Sequence, residues 1–275
     1  MSTVDHDKRL EYNSAMRIGV STAAYYGRME TEEAAAYLTT LGVSCCEAFL
    51  QTMSEYGPAF AQTLKQHLGG LEVISAHSKT LHFEGDFLSQ SPRQREDGFS
   101  MMETFLTTAQ TLGAHIYVFH GPPRLRGDSP PLARWQPHVQ EAIMRSAAHG
   151  VTLAWETVSW CWLNSLGRIA DFKALWPDLR FVLDVKQTIE LGLDVIETVN
   201  AMGERLCHVH VLDYDADGRH VLPGKGRTDF RALARALRVN GYAGDIILEP
   251  YATQTENRQD VLDAIAFLRD TFDAD

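Results

Sequence analysis

Short apolar runs rich in Val, Ile, Leu and Phe recur along the chain, each followed by a longer segment whose apolar residues return every three or four positions. In the first half the runs are RIGVS (17–21), VSCCEAFL (43–50), LEVISAH (71–77) and AHIYVFH (114–120). In the second half they are VTLAWE ending at Glu156, LRFVLD ending at Asp184, LCHVHVLD ending at Asp213 and GDIILE ending at Glu249, which makes eight strands. The segments between them, such as TEEAAAYLTTLG, DGFSMMETFLTTAQTLGA, LARWQPHVQEAIMRSAAHG and QDVLDAIAFLRDTF, carry the helical period. Strands that alternate with helices form a parallel sheet covered on both faces, so each strand reads as a continuous apolar run.

Eight such units predict an α/β protein with a (β/α)8 TIM-barrel fold, a single domain over residues 16–275 behind an N-terminal extension of residues 1–15. An open, doubly wound sheet is the competing architecture, but GVSTAAYYG after the first run lacks the glycine-rich turn such sheets use. The segments 84–97, 122–131 and 213–226 each follow a strand and read as loops of the C-terminal face, where barrels build their sites.

With 275 residues, 45% of them hydrophobic and 22% charged, the chain is long enough to bury one large core without disulfides. Its cysteines, Cys45, Cys46, Cys161 and Cys207, contain no CxxC pair and suit a reducing compartment. No signal-peptide pattern opens the sequence and no apolar stretch reaches the ~18 residues of a membrane span, so a cytoplasmic protein is expected. A net charge of -11 argues against nucleic acid as a partner.

The chemistry stands at the strand ends. His77, His120, Glu156, Asp184, His210 and Glu249 each close or nearly close an apolar run, so a barrel would gather them at one mouth. Buried carboxylates are costly unless they share a cation. Glu156, Asp184, His210 and Glu249 form an oxygen-rich set suited to one octahedral divalent ion, manganese first, then cobalt, magnesium or zinc. His208, two residues before His210 on the same strand face, reads as a core histidine one layer deeper.

The runs LAWETVS, FVLDVKQ, CHVHVLD, HVLPGKG and IILEP resemble the sugar phosphate isomerase/epimerase family with its xylose isomerase-like TIM barrel, which includes ketose 3-epimerases, inosose-processing enzymes and endonuclease IV. The resemblance runs from about residue 17 to the C-terminus. It implies that Glu156, Asp184, His210 and Glu249 hold the metal and that Glu156 and Glu249 act as the acid/base pair, moving a proton next to a carbonyl through an enediolate. It also implies a sugar, sugar-phosphate or cyclitol substrate and a homo-oligomer. His77, His120 and His220 match additional histidines of endonuclease IV, whereas Gln187 and Gly218 stand where that enzyme has metal ligands, which argues against phosphodiester hydrolysis. Many epimerases of the family contact substrate through a histidine at the position of Gln187. An inosose-type dehydratase is the alternative within enzymes, and a non-catalytic sugar-binding barrel the alternative outside them.

Further substrate contacts are expected from Trp160 or Trp162, from Tyr25, Phe49 and Tyr251, and from Lys186 beside Gln187. The PGKG turn brings His220 and Lys225 to a region where barrels bind anions, although it also reads as a tight turn into a helix capped by Thr228 or Asp229.

Overall fold

A computed structural model describes residues 16–79, 83–124 and 132–273. The proposed extension 1–15 and residues 125–131 of the second loop lie outside the described residues. Seven strands appear in succession: β1 (Ile18–Ser21), β2 (Cys45–Leu50), β3 (Glu72–Ser78), β4 (Ile116–Phe119), β5 (Thr152–Glu156), β6 (Arg180–Asp184) and β7 (Leu206–Val211). A small antiparallel hairpin of β8 (Asp213–Tyr214) and β9 (His220–Val221) follows, and β10 (Ile246–Leu248) completes the set. β10 pairs in parallel with both β7 and β1, closing an eight-stranded barrel in the order β1-β10-β7-β6-β5-β4-β3-β2. The (β/α)8 expectation is met.

The helices around the barrel are α1 (Thr31–Leu38), α2 (Pro58–His67), α3 (Pro92–Leu112), α4 (Leu132–Ala148), α5 (Leu166–Leu175), α6 (Val185–Glu190), α7 (Val195–Met202), α8 (Phe230–Val239) and α9 (Arg258–Asp273). The loop expected over 84–97 is shorter, because Pro92 starts α3: proline tolerates the first helical turn, where its missing N–H has no partner to lose. Asp229 rather than Thr228 caps α8, accepting from Ala232 N at 2.8 Å. No described helix is long and apolar enough to cross a membrane.

Alternation within β4 shows why its run is apolar throughout. Ile116 and Val118 join Ala154 and Val182 in a small cluster inside the barrel. Tyr117 and Phe119 belong to the main core, where the Tyr117 ring lies 4.5 Å from that of Phe105 in α3. Towards the C-terminal ends of the strands the interior turns polar: Ser21, Glu47, Ser75 and His208 are fully buried, followed by His77, Glu156, Asp184, His210 and Glu249.

Two glycines shape the loops of that face. Gly121 follows His120 with φ 74°, and a Cβ there would lie 2.5 Å from the Trp155 ring. A Cβ on Gly226 would collide with the Asp213 carboxylate, which accepts from Gly226 N at 3.0 Å and Thr228 N at 2.9 Å and so draws the PGKG turn back onto the end of β7. Gly121→Ala therefore combines a left-handed backbone with overpacking, and denaturant unfolding is expected to show a loss of about 2–4 kcal/mol. A loss below about 0.5 kcal/mol, the size of an ordinary surface change, would contradict this packing.

Candidate functional site

The four strand-end groups singled out in the sequence meet at the mouth. Ligand atoms of Glu156, Asp184, His210 and Glu249 lie within 4.8 Å of one another, and all four residues are buried. Glu156 and Glu249 stand three strands apart around the barrel, with β6 and β7, which carry Asp184 and His210, between them. His210 Nδ1 lies 2.9 Å from Glu156 Oε1 and 3.3 Å from Glu249 Oε2. Asp184 has a second duty as the cap of α6: its Oδ1 accepts from Gln187 N at 3.0 Å, while Oδ2 faces the Lys186 ammonium at 3.1 Å.

His77 and His120 join this set from β3 and the end of β4. Their Nε2 atoms are 2.9 Å apart, and His120 Nε2 lies 2.5 Å from Glu156 Oε2. His77 Nδ1 is buried 3.6 Å from both Glu47 Oε1 and Glu249 Oε1. Carboxylates and imidazoles crowded this closely away from water are the donor set a divalent cation satisfies, so these residues fit a metal ion.

The organising group escaped the sequence analysis. Glu47, in the middle of β2, is fully buried beneath the mouth and accepts from four side chains: Ser21 Oγ at 3.0 Å, Ser75 Oγ at 2.8 Å, His210 Nε2 at 3.0 Å and His208 Nε2 at 3.2 Å. An ionised carboxylate only accepts, so both histidines present N–H at Nε2, and in its neutral form His210 turns an Nδ1 lone pair towards Glu156 and Glu249. Burial alone would raise the Glu47 carboxyl, but His210, His208 and His77 overcome it and hold it well below the usual range. His208 is the deeper core histidine expected, held through Nε2, and burial lowers its pKa. A second missed carboxylate, Glu84, is also fully buried and accepts from His120 N at 3.0 Å and Gly121 N at 3.2 Å, fixing the turn that carries His120.

Above these groups opens a cavity of about 250 Å³ whose lining includes Tyr26, Phe49, Trp160, Lys186, Gln187 and Tyr251. Trp160 is 40% exposed and sits edge-on to His120, with ring centroids 5.9 Å apart. Trp162 instead packs against Trp135 in the core, and Tyr25 is buried outside the cavity lining. Gln187 Oε1 accepts from Ser159 N at 2.9 Å and so holds the loop bearing Trp160. Lys186 is only 5% exposed: burial opposes its charge, but Asp184 and Glu249 outweigh burial and keep it protonated. His220 does not line the cavity; it bonds Tyr214 and Glu190 and packs on Tyr251 at 5.1 Å. Lys225 is directed elsewhere, pairing with Asp260 of α9 at 2.6 Å.

Removing Glu47 leaves four buried donors without an acceptor, so Glu47→Ala is expected to cost about 3–5 kcal/mol in denaturant unfolding, and a cost below about 1 kcal/mol would contradict its role. The pKa of His77 is pushed from 6.5 to about 10, because Glu249 and Glu47 outweigh the burial that opposes its charge. A raised folded value stabilises fully below pH 6.5, and that stabilisation is lost as the pH rises through about 10. The melting temperature of chelator-treated protein should therefore fall on alkaline titration towards pH 10, with a shallower fall in His77→Phe; identical profiles would refute the assignment.

Comparison with known proteins bears on the fold so described. Residues 35–271 match the family described as xylose isomerase-like TIM barrel. The chain is 24% identical over 270 residues to an uncharacterized protein of Mycobacterium leprae (strain TN), covering 85% of this chain and 88% of that one. An uncharacterized protein of Mycobacterium tuberculosis (strain ATCC 25618 / H37Rv) is also 24% identical, over 268 residues, covering 86% and 89%. Among solved structures, D-psicose 3-epimerase in the presence of D-fructose superposes with a TM-score of 0.78 at 18% identity, covering 94% of this chain and 100% of that one. The apo form of 3-keto-D-glucoside 4-epimerase from E. coli gives 0.72 at 20% identity, covering 93% and 99%. The match over most of the barrel, with the closed eight-stranded sheet beneath it, shows that the chain belongs to the xylose isomerase-like TIM barrel family.

Proposed function

We propose that the protein is a divalent-metal-dependent sugar epimerase or isomerase that moves a proton at a carbon next to a carbonyl. The observation that carries this reading is the convergence of Glu156, Asp184, His210 and Glu249 on one buried point at the floor of the cavity. Those four residues would hold the ion, with manganese, cobalt, magnesium and zinc as candidates in that order. When bound, the ion supplies Lewis acidity that makes the carbon acid next to the carbonyl easier to ionise.

The chain supplies the proton transfer. Burial would raise the carboxyls of Glu156 and Glu249, but the histidines around both, and Lys186 beside Glu249, hold them below the usual range, so each is available as a base near neutral pH. One carboxylate takes the proton from the substrate carbon to leave an enediolate, and the other takes a proton from solvent and returns it to that carbon. Solvent exchange restores the pair. The aromatic walls of Tyr26, Phe49, Trp160 and Tyr251 suit the apolar face of a sugar. Lys186 is the only Lys or Arg among the described residues lining the cavity, set among three carboxylates, so an unphosphorylated ketose or cyclitol fits better than a sugar phosphate. The similar structures include D-psicose 3-epimerase, L-ribulose 3-epimerase and 3-keto-D-glucoside 4-epimerase, which supports this choice of chemistry.

The test is incubation with D-fructose, D-psicose and D-tagatose in D2O with added manganese, followed by proton NMR and mass spectrometry. The reading expects loss of the signal of a C–H next to the carbonyl, a new ketose, and a drop of at least about a hundredfold in Glu156→Gln and in Glu249→Gln. Exchange retained in both variants would contradict the assigned pair, and a product lighter by one water would replace epimerisation with dehydration.

A further inference from the structure

Lys186 is placed unusually for a lysine. It lies in the first turn of α6, directly after Val185 and two residues from the capping Asp184, so its side chain turns back into the mouth instead of out to solvent. Its ammonium sits 3.1 Å from Asp184 Oδ2 and 3.2 Å from Glu249 Oε2, and 4.9 Å from the centroid of the Tyr251 ring. Asp184 Oδ1 accepts from Gln187 N as the helix cap, and Oδ2 is the atom that Lys186 holds. Glu249 Oε2 is shared between Lys186 and His210 Nδ1.

A divalent ion at the four-residue site would draw on Asp184 and Glu249, the two carboxylates that Lys186 already holds. Two cations crowded against the same two carboxylates repel each other, and in a dry site that repulsion rivals the attraction of each for the carboxylates. Resting on the metal-site reading above, we propose that Lys186 is an internal cation that competes with the divalent ion for Asp184 and Glu249, so that ion uptake requires the ammonium to leave both. The cavity that Lys186 helps to line receives it, beside Tyr251, where a charged donor can meet a substrate oxygen. In the absence of the ion the same ammonium neutralises part of the carboxylate cluster and keeps the mouth folded. The arrangement couples occupancy of the metal site to the presence of a donor in the substrate cavity.

The test is isothermal titration of manganese into chelator-treated wild type, Lys186→Met and Lys186→Arg. Competition predicts that Lys186→Met binds manganese at least about tenfold more tightly than wild type while Lys186→Arg stays close to wild type. Equal or weaker binding by Lys186→Met, with wild type still binding one ion, would overturn the competition and leave the metal site standing. No binding by wild type or by either variant would overturn the metal site and the competition together. A measurement on wild type alone guards against a variant that fails to fold: labelling of Lys186 by acetic anhydride, read by peptide mass spectrometry, should increase when manganese is added. An unchanged labelling rate in manganese-loaded protein would overturn the proposal.

Discussion

Four carboxylates, from Glu47, Glu156, Asp184 and Glu249, are enclosed at one end of a parallel barrel, and the rest of the site follows from how their charge is met. Water cannot solvate them there, so each must find hydrogen-bond donors or a cation inside the protein. Glu47 is met by two serine hydroxyls and two imidazoles, which makes it the fixed point of the interior. Glu156, Asp184 and Glu249 line the cavity and are met only in part, by His210, His120 and Lys186. The difference separates support from function: the saturated carboxylate orients, and the unsaturated ones are left to bind and to exchange protons.

The barrel makes this division workable. Interior side chains from alternate strands stack in layers, so Glu47 lies one layer below the mouth and reaches across the interior to His208 and His210 of β7. Through His210, the state of the deeper layer is felt at the mouth. Asp184 adds a link to the outside, because the oxygen that caps α6 fixes the direction of the other, and α6 in turn carries Lys186 and Gln187 to the cavity. Helix capping and site geometry are here the same hydrogen bond.

The legible part of the site consists of groups that end strands. Glu156, Asp184, His210 and Glu249 could be found because each closes an apolar run, and the closed parallel topology then leaves a single place for them to meet. Glu47 was hidden for the opposite reason: it stands inside VSCCEAFL, where the run reads as one more buried strand, and its histidine partners lie more than 160 residues away. The available signal was a charged residue embedded in a strand expected to be buried on both faces. A register shift between Cys46 and Glu47 also separates the β2 pattern from simple alternation, and nothing in residue type announces it. For Lys225 and His220 the position after β7 was read correctly, but loop direction depends on the Asp213 bonds to Gly226 and Thr228, which spacing does not reveal.

The central claim is that the unsaturated carboxylates form one cation site at the mouth. Elemental analysis by inductively coupled plasma mass spectrometry, on protein prepared without chelators and beside a Glu156→Ala, Asp184→Ala double variant, addresses it most directly. The account predicts about one manganese, cobalt, magnesium or zinc per chain in the wild type and its loss in a folded double variant. Wild-type protein that carries no divalent ion, even after reconstitution, would contradict it.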